Sequence, residues 1–197
     1  MRYFILTARK LPRIDRQEIN KGTMKREAIT IVNWVRSSLF TSYGVRRDVN
    51  VILYPLDPGD ILIRIEGDKL RYMGPDERSI SVLLSIPFKD SLCETVKRPK
   101  VTSPGITLVR ESPAGITRSV ENPLVIYQCL DGQDVRRIKF GDRTVYFGSL
   151  DRGMDLEESG VLPAKIDKSP IGVTGTKCEK TVLLLNNEID RELGKNM

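Results

Sequence analysis

Two short apolar runs enclose a segment with helical spacing near the start of the chain. Residues 3–8 and 49–55 are predicted strands, and the second is almost continuously apolar, as expected of a strand covered on both faces. Between them, apolar residues recur every three or four positions across 23–41, which predicts a helix with one buried stripe. This order of strand, helix and strand predicts an α/β sheet.

The remaining sequence continues this alternation. Proline and acidic residues open a second predicted helix at 75–78, while 9–22 is predicted to be a basic loop. Further strands are predicted at 61–65, 106–109, 124–127, 145–147 and 164–166, with 124–127 and 135–140 joined as a hairpin through an Asp-Gly turn, and a closing helix at 178–193. Ligands of such sheets bind beyond the carboxyl ends of the strands.

Composition limits the fold and the partners. The 197 residues, of which 40% are apolar, fit a single domain over 1–197, in which 97–143 is a loop and hairpin region. A net charge of +6 favours polyanionic partners. No apolar run approaches the roughly 18 residues of a membrane span, so we expect a cytoplasmic protein without a membrane partner.

Several kinds of chemistry are disfavoured by residues that the chain lacks. Histidine is absent, and Cys93, Cys129 and Cys178 lie far apart without a CxxC pair. We therefore expect no metal site, no disulfide framework and no Ser-His or Cys-His nucleophile. Neither a Walker A motif nor GxGxxG occurs, which disfavours nucleoside triphosphates and Rossmann dinucleotides.

Two loops, 148–153 and 168–177, follow predicted strands late in the chain. Because both leave carboxyl ends of strands, together they could form a pocket made mainly of backbone groups, which suits a nucleoside; two ordinary connecting loops are the alternative. Cys178 follows in the first turn of the closing helix. The helix dipole would stabilise its thiolate, but a buried lining residue is the favoured interpretation.

Arg46, Arg47 and Asp48 lie between a predicted helix and a predicted strand. Two guanidinium groups can bind phosphate, and the carboxylate can act as a base or hold the arginines; a surface salt bridge is the alternative.

Other residues could contact a nucleic acid. Five basic residues could form a track for the backbone of a nucleic acid, and a solvated loop is the alternative. They are Lys97, Arg98, Lys100, Arg110 and Arg118. Bases could stack on three tyrosines that are equally suited to ordinary packing, namely Tyr43, Tyr54 and Tyr72.

Four sequence pieces, taken in order, form a distinctive combination. They are Arg46-Arg47-Asp48-Val49, Pro75-Asp76-Glu77-Arg78-Ser79-Ile80, Ser103-Pro104-Gly105-Ile106, and Ser169-Pro170-Ile171 with Cys178. This combination resembles the archaeal tRNA pseudouridine-54 N1-methyltransferase family over nearly the whole chain. The resemblance implies the SPOUT class: a mostly parallel sheet flanked by helices, a C-terminal deep trefoil knot, and S-adenosylmethionine bound across a homodimer. A knot would never be predicted from sequence pattern alone.

The resemblance also implies roles for residues. Arg46 and Arg47 would lie near the target nucleotide of a tRNA, with Asp48 as the base or orienting group for N1 of pseudouridine. The S-adenosylmethionine would be surrounded by Phe147, Gly148, Ser149, Lys168, Ser169, Pro170, Ile171 and Cys178. Transfer in one displacement suits a chain without histidine, because it needs alignment and removal of one proton.

Two segments differ from the family pattern. Thr174 to Lys177 replaces the usual His-Ala-x-His run before the cysteine, and 148–153 lacks the usual Gly-Asp-His sequence. Two alternatives therefore stay open: a knotted RNA-binding protein without methyl transfer, and a pseudouridine N1-methyltransferase acting on ribosomal RNA.

Overall fold

The structure is a computed structural model, and it describes residues 1–57, 59, 61–91, 96, 98–164, 167–172 and 178–195. The strands within these residues are β1 (Arg2–Ala8), β2 (Phe40–Thr41), β3 (Gly44–Val45), β4 (Val49–Pro55), β5 (Ile61–Glu66), β6 (Lys100–Ser103), β7 (Ile106–Arg110), β8 (Leu124–Cys129), β9 (Thr144–Ser149) and β10 (Lys168–Gly172). The helices are α1 (Arg16–Lys21), α2 (Arg26–Leu39), α3 (Glu77–Ser91), α4 (Pro113–Ser119) and α5 (Cys178–Lys195).

One sheet of eight strands organises the described residues, in the order β10-β8-β9-β1-β4-β5-β7-β6. The five strands from β10 to β4 are parallel, and β5, β7 and β6 continue the sheet with antiparallel pairing. Arg2 pairs with Val49 and Thr144, and these three residues mark what we call the amino edge. Thr7 and Ser149, which also pair, mark the opposite carboxyl edge. The expected α/β fold is confirmed.

Apolar groups cover both faces of the sheet. Along β1, Phe4 and Leu6 belong to a large cluster that includes residues of α2, α3 and α5. Ile5, which points to the other face, belongs to a second cluster with Ile116 of α4 and residues of the 150–164 segment. The central strands are therefore buried from both sides, as the continuous apolar runs predicted.

The predicted hairpin over 124–140 is wrong. β8 pairs in parallel with β9 and β10, and 135–137 forms a 3-10 turn in which the Asp134 carboxylate accepts the Arg136 N–H. The local Asp-Gly turn suggested a partner close in sequence, whereas the true partners lie in later strands.

The segment at 168–172 is a strand and not the predicted loop. β10 lies between β8 and a single bridged residue, Gln133, which donates its N–H to Pro170 O and accepts from Gly172 N–H. Both neighbours supply backbone partners, so the extended conformation is satisfied on both sides. Ala164 lies in a turn rather than the strand predicted at 164–166; Lys165, Ile166 and the altered loop at 173–177 lie outside the described residues.

Two short helices in the structure were not predicted from the sequence. α1 lies inside the predicted basic loop, begins where the Asp15 side chain accepts the Gln17 N–H, and ends at Gly22 in the left-handed region. α4 begins with the Ser112 side chain as its cap and Pro113 in its first turn. The longer helices agree with prediction, although α2 is shorter than 23–41.

The start of α3 explains why the sequence at 75–80 has its acidic and hydroxyl residues. The Asp76 carboxylate accepts the Ser79 N–H at 2.8 Å, and the Ser79 hydroxyl accepts the Gly74 N–H at 2.8 Å. Asp76 therefore caps the helix, as favoured for this acidic segment.

Candidate functional site

The carboxyl end of β9 is held by β1 and β8. The Thr7 hydroxyl donates to Gly148 O at 3.0 Å, and the N–H of Leu150 donates to Thr7 O at 2.8 Å. The Gln128 side chain accepts the Ser149 N–H at 3.4 Å. Gly148 and Ser149 are thus the last residues of β9 and not part of the predicted 148–153 loop, which begins at Leu150.

Gly148 is required by a close approach of α2. A Cβ atom at this position would collide with the ring of Trp34, which stacks on Tyr146 with ring centroids 5.8 Å apart. Phe147, the neighbouring predicted cofactor residue, points to the other face and is fully buried there. Main-chain atoms of Phe147 could therefore serve a ligand, whereas its ring belongs to the core.

β10 runs toward the same edge and reaches it with Ile171 and Gly172, whereas Lys168 lies level with Val145, near the amino edge. Lys168, Ser169 and Pro170 are half-buried, and Ile171 is buried. The Lys168 ammonium donates to Pro163 O at 3.2 Å. Since β8 separates β10 from β9, their carboxyl ends lie about 10 Å apart, which a nucleoside can span.

One buried polar group near this edge, Trp34 Nε1, has no hydrogen-bond partner among the described residues. The ring of Trp34 closely approaches the Gly148 position. The Tyr146 hydroxyl, further along β9, is fully buried and interacts with the Thr181 side chain. Buried polar groups normally have hydrogen-bond partners, so a ligand or water that accepts from Trp34 Nε1 fits this position. The residues present are therefore compatible with a polar cofactor.

Cys178 has the character of a lining residue. It is buried, and burial, followed by the charge of Glu179, raises the pKa of its thiol to about 12. The helix dipole does not overcome this desolvation. The thiol therefore stays protonated near neutral pH.

Arg46 and Asp48 lie at the amino edge in a network with two unpredicted residues, Arg2 and Asp190. Arg2 Nε lies 3.1 Å from Asp48 Oδ2, and its NH2 group lies 2.6 Å from Asp190 Oδ1. Arg46 donates to the same Asp190 carboxylate with both terminal nitrogens, at 2.6 and 2.8 Å. The network joins β1, the segment before β4, and α5.

Asn186 completes this network. It accepts from Arg2 at 2.8 Å and donates to the carbonyls of Ser37 and Ser38 at the end of α2. The Arg2 side chain is only 6% exposed, so its charge needs these partners. Burial opposes ionisation of Asp190, but hydrogen bonds from Arg46 and Arg2 outweigh it and hold the pKa of that carboxyl below its ordinary value.

Arg47 has a different role from its neighbour. Its NH1 group donates to the carbonyl oxygens of Gly67, Asp68 and Leu70 at 2.9 to 3.4 Å. It therefore holds the turn after β5. Arg47 is exposed, and the Asp48 side chain is 45% exposed.

The two halves of the predicted site lie apart within one chain. Arg2, beside Asp48, pairs with Thr144, whereas Ser149 lies five residues further along β9. At about 3.3 Å per residue, Asp48 is roughly 17 Å from the carboxyl edge. The chain thus brings Gly148, Ser149, the end of β10 at Ile171, and Cys178 to one side, and Arg46 to Asp48 to the other.

The candidate nucleic-acid residues do not form one track. Arg98 and Lys100 belong to the β6 edge of the sheet, whereas Arg118 ends α4 on the face of the second cluster; Lys97 lies outside the described residues. Tyr43 and Tyr72 are exposed, and Tyr54 packs partly buried against the second cluster.

Sequence reasoning missed Thr7, Arg2 and Asp190. Thr7 could have been found from parallel pairing of 3–8 with the strand before Gly148, and Arg2 from its position beside a buried strand. No local pattern marked Asp190. Among the residues that the structure describes, no cluster of three or more potential metal ligands occurs, and no helix is long and apolar enough to cross a membrane.

Comparison with known proteins places the chain in a family. A family model described as "Putative SAM-dependent RNA methyltransferase" matches residues 1–193. A tRNA (pseudouridine(54)-N(1))-methyltransferase of Methanosarcina acetivorans is 34% identical over 162 residues, covering 80% of this chain and 75% of the relative. The protein of the same name from Methanocella arvoryzae is 25% identical over 197 residues, covering 97% of this chain and 100% of the relative.

A solved structure has the same fold. The Archaeoglobus fulgidus Nep1 structure, bound to S-adenosylhomocysteine, superimposes with a TM-score of 0.66 over 98% of each chain at 14% identity. This agreement supports the SPOUT-type α/β fold. The chain belongs to the SAM-dependent RNA methyltransferase family that contains the archaeal tRNA (pseudouridine(54)-N(1))-methyltransferases.

Proposed function

We propose that the chain is a cytoplasmic enzyme that methylates N1 of pseudouridine at position 54 in the T-loop of tRNA, using S-adenosylmethionine. The observation that carries this proposal is the match of residues 1–193 to the methyltransferase family, with curated relatives named for this activity. The carboxyl edge supports it, since the ends of β9 and β10 lie about 10 Å apart there, a distance that a nucleoside can span.

We assign the cofactor to the carboxyl edge. Main-chain groups of Phe147, Gly148 and Ser149, the end of β10 at Pro170 and Ile171, and the Cys178 side chain would hold it. The other two β10 residues of the predicted site, Lys168 and Ser169, lie nearer the amino edge. When bound, S-adenosylmethionine supplies a methyl group already activated by a sulfonium. The protein's task is to align N1 of the nucleotide with that carbon and to receive the N1 proton as the new N–C bond forms.

The protein residues fit a direct displacement. The protonated Cys178 thiol is a poor nucleophile, which supports transfer without a covalent cysteine adduct. Asp48 is the candidate acceptor for the N1 proton. Its carboxylate carries the necessary charge and is accessible, but it lies at the amino edge of its own chain.

We therefore propose a homodimer in which Asp48 of one subunit serves the carboxyl edge of the other. A shared site reconciles the roughly 17 Å separation within one chain with a single reaction centre. A second observation supports association: Leu183 and Leu184 of α5 are 56% and 50% exposed side by side. Neighbouring exposed leucines are suited to a contact with a second copy.

We also propose that the C-terminal part is knotted. β10 pairs with β8 on one side and with Gln133 on the other, although β8 and Gln133 are joined by only a few residues. Pairing on both sides supports a later strand that passes through a loop formed by the earlier segment. Gly132 and Gly172 permit this crossing, because a Cβ on either would collide with the backbone of the other strand.

Methyl transfer from labelled S-adenosylmethionine tests the function. We expect label to enter a tRNA transcript carrying pseudouridine at position 54 and not the same transcript carrying uridine there. Equal labelling would reject the target. Strong labelling of a ribosomal RNA fragment containing pseudouridine, with none of the tRNA, would favour the ribosomal alternative instead.

Calorimetric titration separates this proposal from RNA binding without catalysis. We expect S-adenosylmethionine to bind in the micromolar range. Absence of binding, together with tight binding of tRNA, would support the non-catalytic alternative.

A further inference from the structure

The positive charge of the chain is concentrated in one segment, residues 9–26. This basic segment carries seven basic and two acidic side chains, a net charge of +5 out of +6 for the whole chain. The other 179 residues together carry only +1. The surface that attracts polyanions is therefore a local one.

Most of these charges are free to meet a ligand. Lys10 pairs with Asp57 at 3.2 Å and Arg13 with Asp15 at 3.5 Å. Four further side chains are exposed and have no ion-pair partner among the residues that the structure describes, namely Arg16, Lys21, Lys25 and Arg26. Their charges contribute little to holding the fold together.

Two of these cations stand where they weaken a helix. Lys25 occupies the N-cap of α2 and makes no side-chain cap, and Arg26 is the first residue of that helix. Ser, Thr, Asp or Asn at the cap, and acids in the first turn, would stabilise the helix. Residues that go against such a local preference, and give the fold nothing in return, are expected at functional positions.

The segment begins beside the proposed cofactor region. The Arg9 N–H donates to the Asp151 carboxylate at 2.6 Å, within the loop that follows Gly148 and Ser149. α2 then returns the chain from the carboxyl edge to the amino edge, where Ser37 and Ser38 contact Asn186. The first turn of α2 thus belongs to the carboxyl-edge end of this crossover.

We propose that residues 9–26 bind the phosphate backbone of the tRNA and hold its T-loop against the carboxyl edge. This inference rests on the proposed function for the identity of the RNA. Guanidinium and ammonium groups neutralise phosphates with release of counterions, so affinity should depend strongly on salt. The basic residues of 98–118 are spread over an edge and the opposite face and do not form such a surface.

Two matched double variants test the assignment. Arg16→Gln with Arg26→Gln removes two charges from the basic segment, and Arg98→Gln with Arg118→Gln removes two charges elsewhere. The measurement is the dissociation constant of tRNA without cofactor over a series of KCl concentrations. We expect the first variant to bind about tenfold or more weakly and to lose about one to two units of salt slope.

The second variant should bind tRNA like the wild type. Equal weakening of both variants would show only general attraction by net charge, and weakening of the second alone would place the RNA on the β6 and α4 side. Either outcome overturns the proposal. Because binding is measured without cofactor, the result is independent of whether methyl transfer occurs.

A single substitution separates binding from folding. Lys25→Ser supplies the missing cap and should raise the melting temperature while weakening tRNA binding and leaving S-adenosylmethionine affinity unchanged. A stabilised variant with unchanged tRNA affinity would remove Lys25 from the surface. Failure of the proposed function gives a different result. In that case the basic-segment variants would still bind tRNA more weakly than the wild type, but the wild type itself would not methylate tRNA.

Discussion

The guanidinium of Arg46 and the carboxylate of Asp190 meet at 2.6 Å and join the segment before β4 to the last helix. Asp190 also binds Arg2, so one carboxylate neutralises two arginines. Because α5 begins at Cys178 and reaches Asp190 twelve residues later, the contact fixes one part of the helix whose first turn borders the proposed cofactor region.

Asp190→Asn should destabilise the fold. The substitution removes the carboxylate charge that pairs with Arg2 and Arg46, and the Arg2 side chain is only 6% exposed. We expect a loss of about 2 to 3 kcal/mol, below that of a fully buried pair because water screens the carboxylate. Urea denaturation measures this loss. Asp57→Asn, which breaks an exposed pair with Lys10, is the control and should change stability by less than about 1 kcal/mol.

The same variant should alter the response to acid. The pKa of Asp190 is lower in the folded chain than its ordinary value, so its contribution to stability is full above the unfolded pKa and is lost as pH falls through the folded pKa. The wild type should therefore lose melting temperature more steeply than Asp190→Asn between about pH 5 and pH 3. Parallel curves would show that Asp190 is not held in its ionised form by Arg46 and Arg2.

Mixed dimers test whether the site is shared. Asp48→Asn and Ser149→Trp should each be inactive alone, the first through loss of the proton acceptor and the second through obstruction of the carboxyl edge. Random exchange of the two variants should restore about a quarter of the wild-type rate, since half of the dimers are mixed and each has one intact site. No recovery in demonstrably mixed dimers would place both residues in the same subunit's reaction or remove Asp48 from it.

The Cys178 thiol should react slowly with alkylating reagents. With the thiol pKa raised to about 12 by burial, alkylation at about pH 8 should modify the half-buried Cys129 at least about tenfold faster, as read by peptide mass spectrometry. Cys178→Ala should change turnover by less than about threefold, or under 1 kcal/mol of barrier. Rapid alkylation that abolishes turnover would instead indicate a reactive thiolate.

The crossing of β10 can be tested with a glycine pair. Gly132→Ala would drive a methyl group into the backbone at Ile171, whereas a Cβ on Gly141 would meet no atom within 4 Å. We expect Gly132→Ala to cost about 3 kcal/mol or more and Gly141→Ala to have little effect on the unfolding midpoint. Similar midpoints for both variants would mean that the two segments do not approach as closely as described.

Strands buried on both faces were the easiest part of the fold to predict. Residues 49–55 are almost continuously apolar, as expected of a strand that two clusters cover from both sides, and such runs have few other interpretations. The pairing of β8 with β10 could not be predicted, because a parallel partner lies more than 40 residues away and leaves no local mark. The nearby Asp131-Gly132 turn indicated a hairpin that does not exist.

The sequence indicated the two groups of candidate site residues, but not how the groups lie relative to each other. Gly148 and Ser149 end β9 and are not part of a loop as the prediction of 148–153 had it, whereas Cys178 begins the last helix as expected. Whether Asp48 lies near them depends on strand register, which sequence spacing does not determine. The partnership of Arg46 with Asp190 joins residues 144 positions apart, and only the folded structure reveals it.

Identification of the product nucleoside tests the central claim most directly. The purified protein would be incubated with S-adenosylmethionine and tRNA carrying pseudouridine at position 54, and the RNA digested and analysed by mass spectrometry. The account predicts N1-methylpseudouridine at that position and no other methylated product. An unmodified pseudouridine after long incubation with folded protein, or a methyl group on another nucleotide, would contradict it.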